Sequence, residues 1–338
     1  MLRHCPNMKY KKLISLLFVI YENIIYYYHI MEEQNNKDIE DIIQTNPNKT
    51  KKSQIISCSR RTDIPAFYMN NMVESMQKGF INVPNPMNTN QISTLSLKPQ
   101  DVKCFVWWSK NYKNWIDQYK LNSNLFDQFK HMFNFTINGT NELEHIDSTL
   151  DERLEQLKWL ALTFGADKIK YRFDPIVFYK KINQNEQNED PNKEYNNLGD
   201  FEYIMKNITE VGVKDVIFAF CLPYKKVVNR MKKRGKLLID LTIERQHAIL
   251  DDLINITDKY GITLRSCCGT NLVGYKNKIF KAACVDGNKI TEILDDLKIR
   301  KKDTGQRVEC NCCNSRDIGA YNMICNHSCD YCYANPSK

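Results

Sequence analysis

The segment Ser148-Thr-Leu-Asp-Glu-Arg-Leu-Glu-Gln-Leu-Lys-Trp-Leu-Ala-Leu-Thr-Phe164-Gly165-Ala-Asp-Lys-Ile169-Lys-Tyr-Arg-Phe173-Asp-Pro175 carries the reading of the fold. Apolar residues recur at helical spacing from Ser148 to Phe164, Gly165 supplies the stop, and Ile169–Phe173 reads as a short strand. The unit repeats. Gly212 ends a helix over Phe201–Val211 ahead of a strand at Asp215–Cys221, and Gly261 separates a helix at Thr242–Tyr260 from a strand at Ile262–Cys267. Further strands are expected at Gln54–Ser59, Cys104–Ser109 and Phe133–Asn138, with helices near Phe67–Lys78 and Lys113–His131. Nearly continuous apolar strands alternating with helices imply a parallel sheet buried on both faces. The expected fold class is therefore α/β, a partial (β/α)6 TIM-like barrel with parallel strands plus a cysteine-rich C-terminal tail.

Outward from this core the chain divides into three parts. Residues 1–52 are expected to be an N-terminal extension, disordered or the product of a misassigned start. Lys9, Lys11 and Lys12 precede an apolar run, Leu13 to Tyr21, but Glu22 and Asn23 interrupt it before it is long enough to span a bilayer. Residues 53–300 form the barrel-like domain, with an Asn- and acid-rich loop inserted at 183–199 and a short helix at Asn288–Leu297. Residues 301–338 form the tail, expected to pack on the barrel. The 338 residues carry thirteen cysteines and a net charge of +8. Without a secretory signal these cysteines point to metal rather than disulfides, and the expected location is cytoplasmic, with no membrane span.

Chemistry in a parallel α/β sheet collects at the C-terminal strand ends. The first strand runs into Ser59-Arg60-Arg61-Thr62-Asp63, the second into Ser109-Lys110-Asn111, and the fourth contains Arg172-Phe173-Asp174. Arg172 and Asp174, two apart on an extended chain, face the same way. Their plain structural role is an ion pair; a functional role is to hold an anionic group, as Arg60 and Arg61 also suit. Arg60, Arg61, Asp63, Lys110, Arg172 and Asp174 are the candidate catalytic residues.

The tail contains Cys325-Asn-His-Ser-Cys329-Asp-Tyr331-Cys332. Three thiols in a CxxxCxxC pattern suit three corners of an iron–sulfur cube, leaving one iron open. A zinc knuckle is the rival, pairing Cys329 and Cys332 with Cys310, Cys312 or Cys313; zinc has no use for Cys325 or for an aromatic at Tyr331. A candidate second metal site is Cys284, Cys310 and Cys312, whose plain alternative is small buried hydrophobes.

These stretches, together with Lys302-Asp303-Thr-Gly-Gln306-Arg307 and Ser315-Arg-Asp317-Ile318-Gly319-Ala-Tyr321, resemble a family of unknown function. That family is described by a C-terminal cysteine cluster similar to the N-terminal one of radical S-adenosylmethionine (SAM) enzymes. The resemblance covers about Gln54 to Asn335. It implies that Cys325, Cys329 and Cys332 hold a [4Fe–4S] cluster. It also implies that SAM binds the open iron, with Tyr331 against the adenosine, and that a radical takes hydrogen from a substrate. No Gly-Gly-Glu-like stretch follows the second strand, so Arg60 and Arg61 are expected to bind the cofactor's anionic group.

Two classes of function follow. One is an iron–sulfur, radical SAM-like enzyme that needs an electron donor and acts on an unnamed substrate. The other is a non-catalytic zinc- or Fe–S-stabilised module that contacts nucleic acid through the basic run 225–236, namely Lys225, Lys226, Arg230, Lys232, Lys233, Arg234 and Lys236. Such a run is more often a solvated helix face.

Overall fold

The computed structural model describes residues 53–86, 88–182, 190, 192–294 and 301–334. The readings of residues 1–52, most of the 183–199 insertion and the end of the helix after 294 lie outside them. All six expected strands form: β1 Gln54–Cys58, β2 Val102–Ser109, β3 His131–Thr136, β4 Ile169–Ile176, β5 Asp215–Phe220 and β6 Thr263–Ser266. Two more, β7 Ile279–Lys281 and β8 Arg316–Asp317, complete one eight-stranded sheet in the order β7-β6-β5-β4-β3-β2-β1-β8. Every pairing in it is parallel. The order follows the chain except for β8, the tail strand, which adds to the free edge of β1. Among the described residues β7 and β8 do not pair, so the sheet is open and no barrel closes.

Alternation along the strands sorts two faces. Ile56, Phe105, Trp107, Phe133, Tyr171, Phe173 and Phe218 pack with the helices α1 Met69–Lys78, α2 Lys113–Leu121, α3 Leu150–Phe164, α4 Phe201–Glu210 and α6 Ile243–Lys259. Another helix, α5 Lys225–Lys233, lies between α4 and α6 in the chain. The alternate residues Ile55, Cys104, Val106, Trp108, Met132 and Ile217 meet a different cover: Cys284, Val285, Ile290, Cys310, Cys312 and Cys313. Asn134 donates to the Cys284 carbonyl at 3.1 Å, and the Cys313 N–H donates to the Val285 carbonyl at 2.9 Å. The sheet's second face is thus covered by the cysteine-bearing segments, a division invisible to periodicity.

The helix ends obey local rules. Thr149 and Glu152 form a capping box at the start of α3, and Gly79 closes α1 in the left-handed conformation. The helix expected at Lys113–His131 is shorter. It stops at Leu121, a single turn follows at Ser123–Phe126, and His131 opens β3. A hairpin of Phe80–Pro84 with Ile92–Ser96, and a small sheet of Phe178–Lys181, Tyr195–Asn196 and Lys236–Leu238, lie outside the main sheet.

His131 explains that early stop. Its ring sits among Trp107, Trp115, Phe126 and Phe133. Trp107 Nε1 donates to Nδ1 at 3.0 Å, so the ring proton lies on Nε2 and donates to the Phe126 carbonyl at 2.9 Å. Burial lowers its pKa from 6.5 to about 4. The folded state therefore binds fewer protons than the unfolded state between those values. The stability this provides is present above about pH 6.5 and is lost as pH falls toward 4, by about 3 kcal/mol in all. Unfolding curves across that window are expected to fall more steeply for the wild type than for His131→Gln; parallel curves would contradict this.

A cavity at the strand ends lined by the tail cysteines

A cavity of about 860 Å³ opens at the C-terminal ends of β1 to β6, a size suited to a small molecule. Its lining contains Arg60, Arg61 and Asp63 after β1, Lys110 after β2, and Arg172 and Asp174 on β4. From the tail come Cys325, Cys329, Tyr331 and Cys332, and from the inner face Cys284, Cys310 and Cys312. Every candidate catalytic residue and every thiol of the two candidate metal sites thus faces one space.

The tail reaches it through Asp317, which the sequence reading quoted without giving it a role. β8 pairs with β1 in the register Ile56 to Arg316 and Ser57 to Asp317. The Asp317 carboxylate then accepts from Ser57 Oγ at 3.0 Å, Ser59 Oγ at 2.6 Å, the Arg60 N–H at 2.8 Å and the Gly319 N–H at 3.0 Å. Gly319 must be glycine for the chain to lie this close: a Cβ there would stand 2.0 Å from Ser59 Oγ.

Asp63 repeats the device one turn later. It accepts from the Ala66 N–H at 2.9 Å, Ser109 Oγ at 3.0 Å, the Lys110 N–H at 2.9 Å and His327 Nε2 at 2.9 Å. His327 lies between Cys325 and Cys329, so this carboxylate ties the cysteine loop to two strand ends. Lys110 is similarly engaged. Its ammonium lies 3.1 Å from Glu144 and 2.9 Å from Tyr331 Oη, which also meets Glu144 and accepts from Asn138 at 3.0 Å. Burial alone would raise the Glu144 pKa, but Lys110 and Tyr331 together hold its carboxyl below the usual range. Asp63 and Lys110, candidate catalytic residues from the sequence, are each held by several hydrogen-bond partners at the cavity wall; His327, Glu144 and Asn138 carried no local signal that marked them.

The basic run also turns inward. Arg230 donates to the Cys332 carbonyl and Arg234 to Ser328 Oγ. Arg234 also pairs with Asp330, a residue only 1% exposed. Lys236 stands 3.0 Å from the other Asp330 oxygen as an ion pair lacking hydrogen-bond geometry. Arg230 and Arg234 belong to α5 or its end, so this helix straps down the segment Ser328–Cys332. These three cations hold the loop, while Lys225, Lys226, Lys232 and Lys233 of the same run are exposed.

Around the cavity's cations lies Trp108, whose ring is faced by Arg60 at 5.2 Å and Arg172 at 5.0 Å. Arg172 pairs with Asp174, as the plain reading held. Arg60 Nη2 and Arg172 Nε are nevertheless buried without a hydrogen-bond partner. Burial pushes the Cys325 thiol up to about 12 and raises Cys329 well above its ordinary range.

Among the described residues no three His, Cys, Asp or Glu side chains are preassembled around a single ion. A cube does not ask for that, since each of its irons takes its own cysteine. The three tail thiols line one cavity, and Cys332 lies near enough to raise the pKa of Cys325 and of Cys329. As a donor set they fit such a cluster, with proton release accompanying metal uptake. No helix among the described residues is long and apolar enough to cross a membrane. Residues 55–334 match the family described as a domain of unknown function (DUF1848). No curated protein is significantly similar to the chain.

Proposed function

The chain belongs to the DUF1848 family, and we propose that it is an iron–sulfur enzyme of radical SAM type built on a partial (β/α) barrel. One observation carries this reading: the CxxxCxxC thiols and the arginines of the strand ends line a single small-molecule-sized cavity. Cys325, Cys329 and Cys332 would hold a [4Fe–4S] cluster, which when bound supplies an open iron for SAM and the electron for its reductive cleavage. The chain's own contribution is position. Asp63 through His327, and Arg230 and Arg234 through the backbone carbonyls of Cys332 and Ser328, fix the ligand loop over the strand ends. Arg60 and Arg61 offer guanidinium groups to an anionic part of cofactor or substrate, and the apolar walls Ile176, Phe178 and Leu272 exclude water. Tyr331, fastened at its hydroxyl, lines the same cavity.

Anaerobic reconstitution is expected to load about four irons with sulfide at the tail loop, and Cys325→Ala with Cys329→Ala and Cys332→Ala should remove them. Addition of SAM to the reduced protein is expected to change its electron paramagnetic resonance spectrum. A loaded protein whose spectrum ignores SAM overturns the radical reading, and zinc in place of iron and sulfide at the tail favours a metal-stabilised module.

A further inference from the structure

A second group of thiols remains beside this cavity. Cys267 and Cys268 follow β6, Cys284 follows β7, and Cys310 and Cys312 come from the tail before β8. The Cys267 sulfur lies 3.9 Å from that of Cys268 and 4.0 Å from that of Cys284. Cys312 is electrostatically coupled to Cys284 and Cys310, and Cys310 to Cys268, so the five thiols form one neighbourhood. All five are free thiols that line the cavity. They pack with Ile55, Val106 and Trp108, whereas Cys329 and Tyr331 pack in a separate cluster with Leu143, Val177 and Met231.

We propose that Cys267, Cys268, Cys284, Cys310 and Cys312 supply the ligands of a second thiolate-bound metal centre, distinct from the one at Cys325–Cys332. Incidental buried cysteines have no reason to gather from three segments far apart in the chain. The charge balance points the same way. Arg60 stands beside Cys312, and Arg172 beside Cys284 and Cys267, each with a buried N–H that lacks a partner. Thiolates on a bound metal would compensate these guanidiniums, as outer-shell donors commonly do. The Val285 N–H already donates to the Cys312 sulfur at 3.3 Å. Binding is an acid–base exchange: each S–H proton leaves to solvent as a sulfur–metal bond forms, and no electron changes hands. The five are not preassembled around one point; four of them, drawn together as the metal binds, suffice for a tetrahedral divalent ion.

The test uses the full chain with Cys325, Cys329 and Cys332 replaced by alanine, which leaves all five inner thiols intact. Titrated anaerobically with cobalt(II) alone, it is expected to bind about one equivalent with intense sulfur-to-metal absorption. Ferrous iron plus sulfide, offered instead, distinguishes a cluster from a single ion by its inorganic sulfide content. Adding Cys284→Ser and Cys312→Ser should abolish uptake of either. A folded triple variant that takes up neither metal overturns the proposal, as does uptake that survives the two serines. If the triple variant does not fold, native mass spectrometry of reconstituted wild type decides: two centres per chain support the assignment and one overturns it. Loss of the SAM response alone would strike only the function proposed for the tail loop.

Discussion

Asp63→Ala is expected to lower the unfolding free energy by about 4 kcal/mol and, on the proposed reading, to keep the tail loop from taking up iron on reconstitution. The size follows from what the carboxylate does. It is 6% exposed and accepts from four donors, two of them backbone N–H groups and one the imidazole of His327. Alanine leaves those donors facing each other in a space that excludes water. Asparagine should rescue little, because its amide brings a donor to a point where Ser109, Lys110 and His327 already direct theirs. At this chain length the loss corresponds to a melting shift of roughly 6 °C. Denaturant titration and iron analysis read the two consequences separately. An alanine variant with the wild-type midpoint and wild-type iron would show that Asp63 does not organise the site.

Asp330→Ala should cost about 3 kcal/mol, for a different reason. Here the partners are Arg234, Lys236 and the Leu143 carbonyl, to which the Asp330 N–H donates at 2.8 Å. Removing the carboxylate leaves two cations without their counter-charge, and Lys236 is only 13% exposed at its side chain. Replacing Lys236 as well with methionine should recover part of the loss, since an absent pair is less costly than a broken one. A double variant no more stable than Asp330→Ala alone would refute the ion-pair account. Because Asp330 sits between Cys329 and Cys332, metal retention at the tail should fall with it; the inner thiols, packed elsewhere, should keep theirs.

Much of the site was legible because its signals are local. The strand ends after β1, β2 and β4 could be found from apolar runs followed by charged residues, and a parallel sheet gathers such ends on one side. The CxxxCxxC spacing marked three thiols that the fold brings to the same cavity. The role of each residue was less legible. Lys110 and Asp63 read as candidate reagents, yet in the fold each is surrounded by groups it must satisfy. The run 225–236 read as a phosphate-binding or solvated face because the partners of Arg230, Arg234 and Lys236 lie about a hundred residues away. Cys267 and Cys268 were not among the candidate ligands Cys284, Cys310 and Cys312, and only the fold brings the Cys267 sulfur within 4.0 Å of that of Cys284.

The sequence by itself determined the six core strands, the helices between them and the identity of the tail thiols. These rest on periodicity, helix-ending glycines and ligand spacing, all of which act within a few residues. Tertiary structure alone decided that the sheet stays open, that cysteine-bearing segments cover its second face, and that a two-residue strand from the tail joins β1. That last pairing links Ser57 with Asp317, 260 residues apart. Two residues carry no pattern; they add to β1 because its edge is free and because Ser57, Ser59 and the Arg60 N–H present donors that one carboxylate can satisfy.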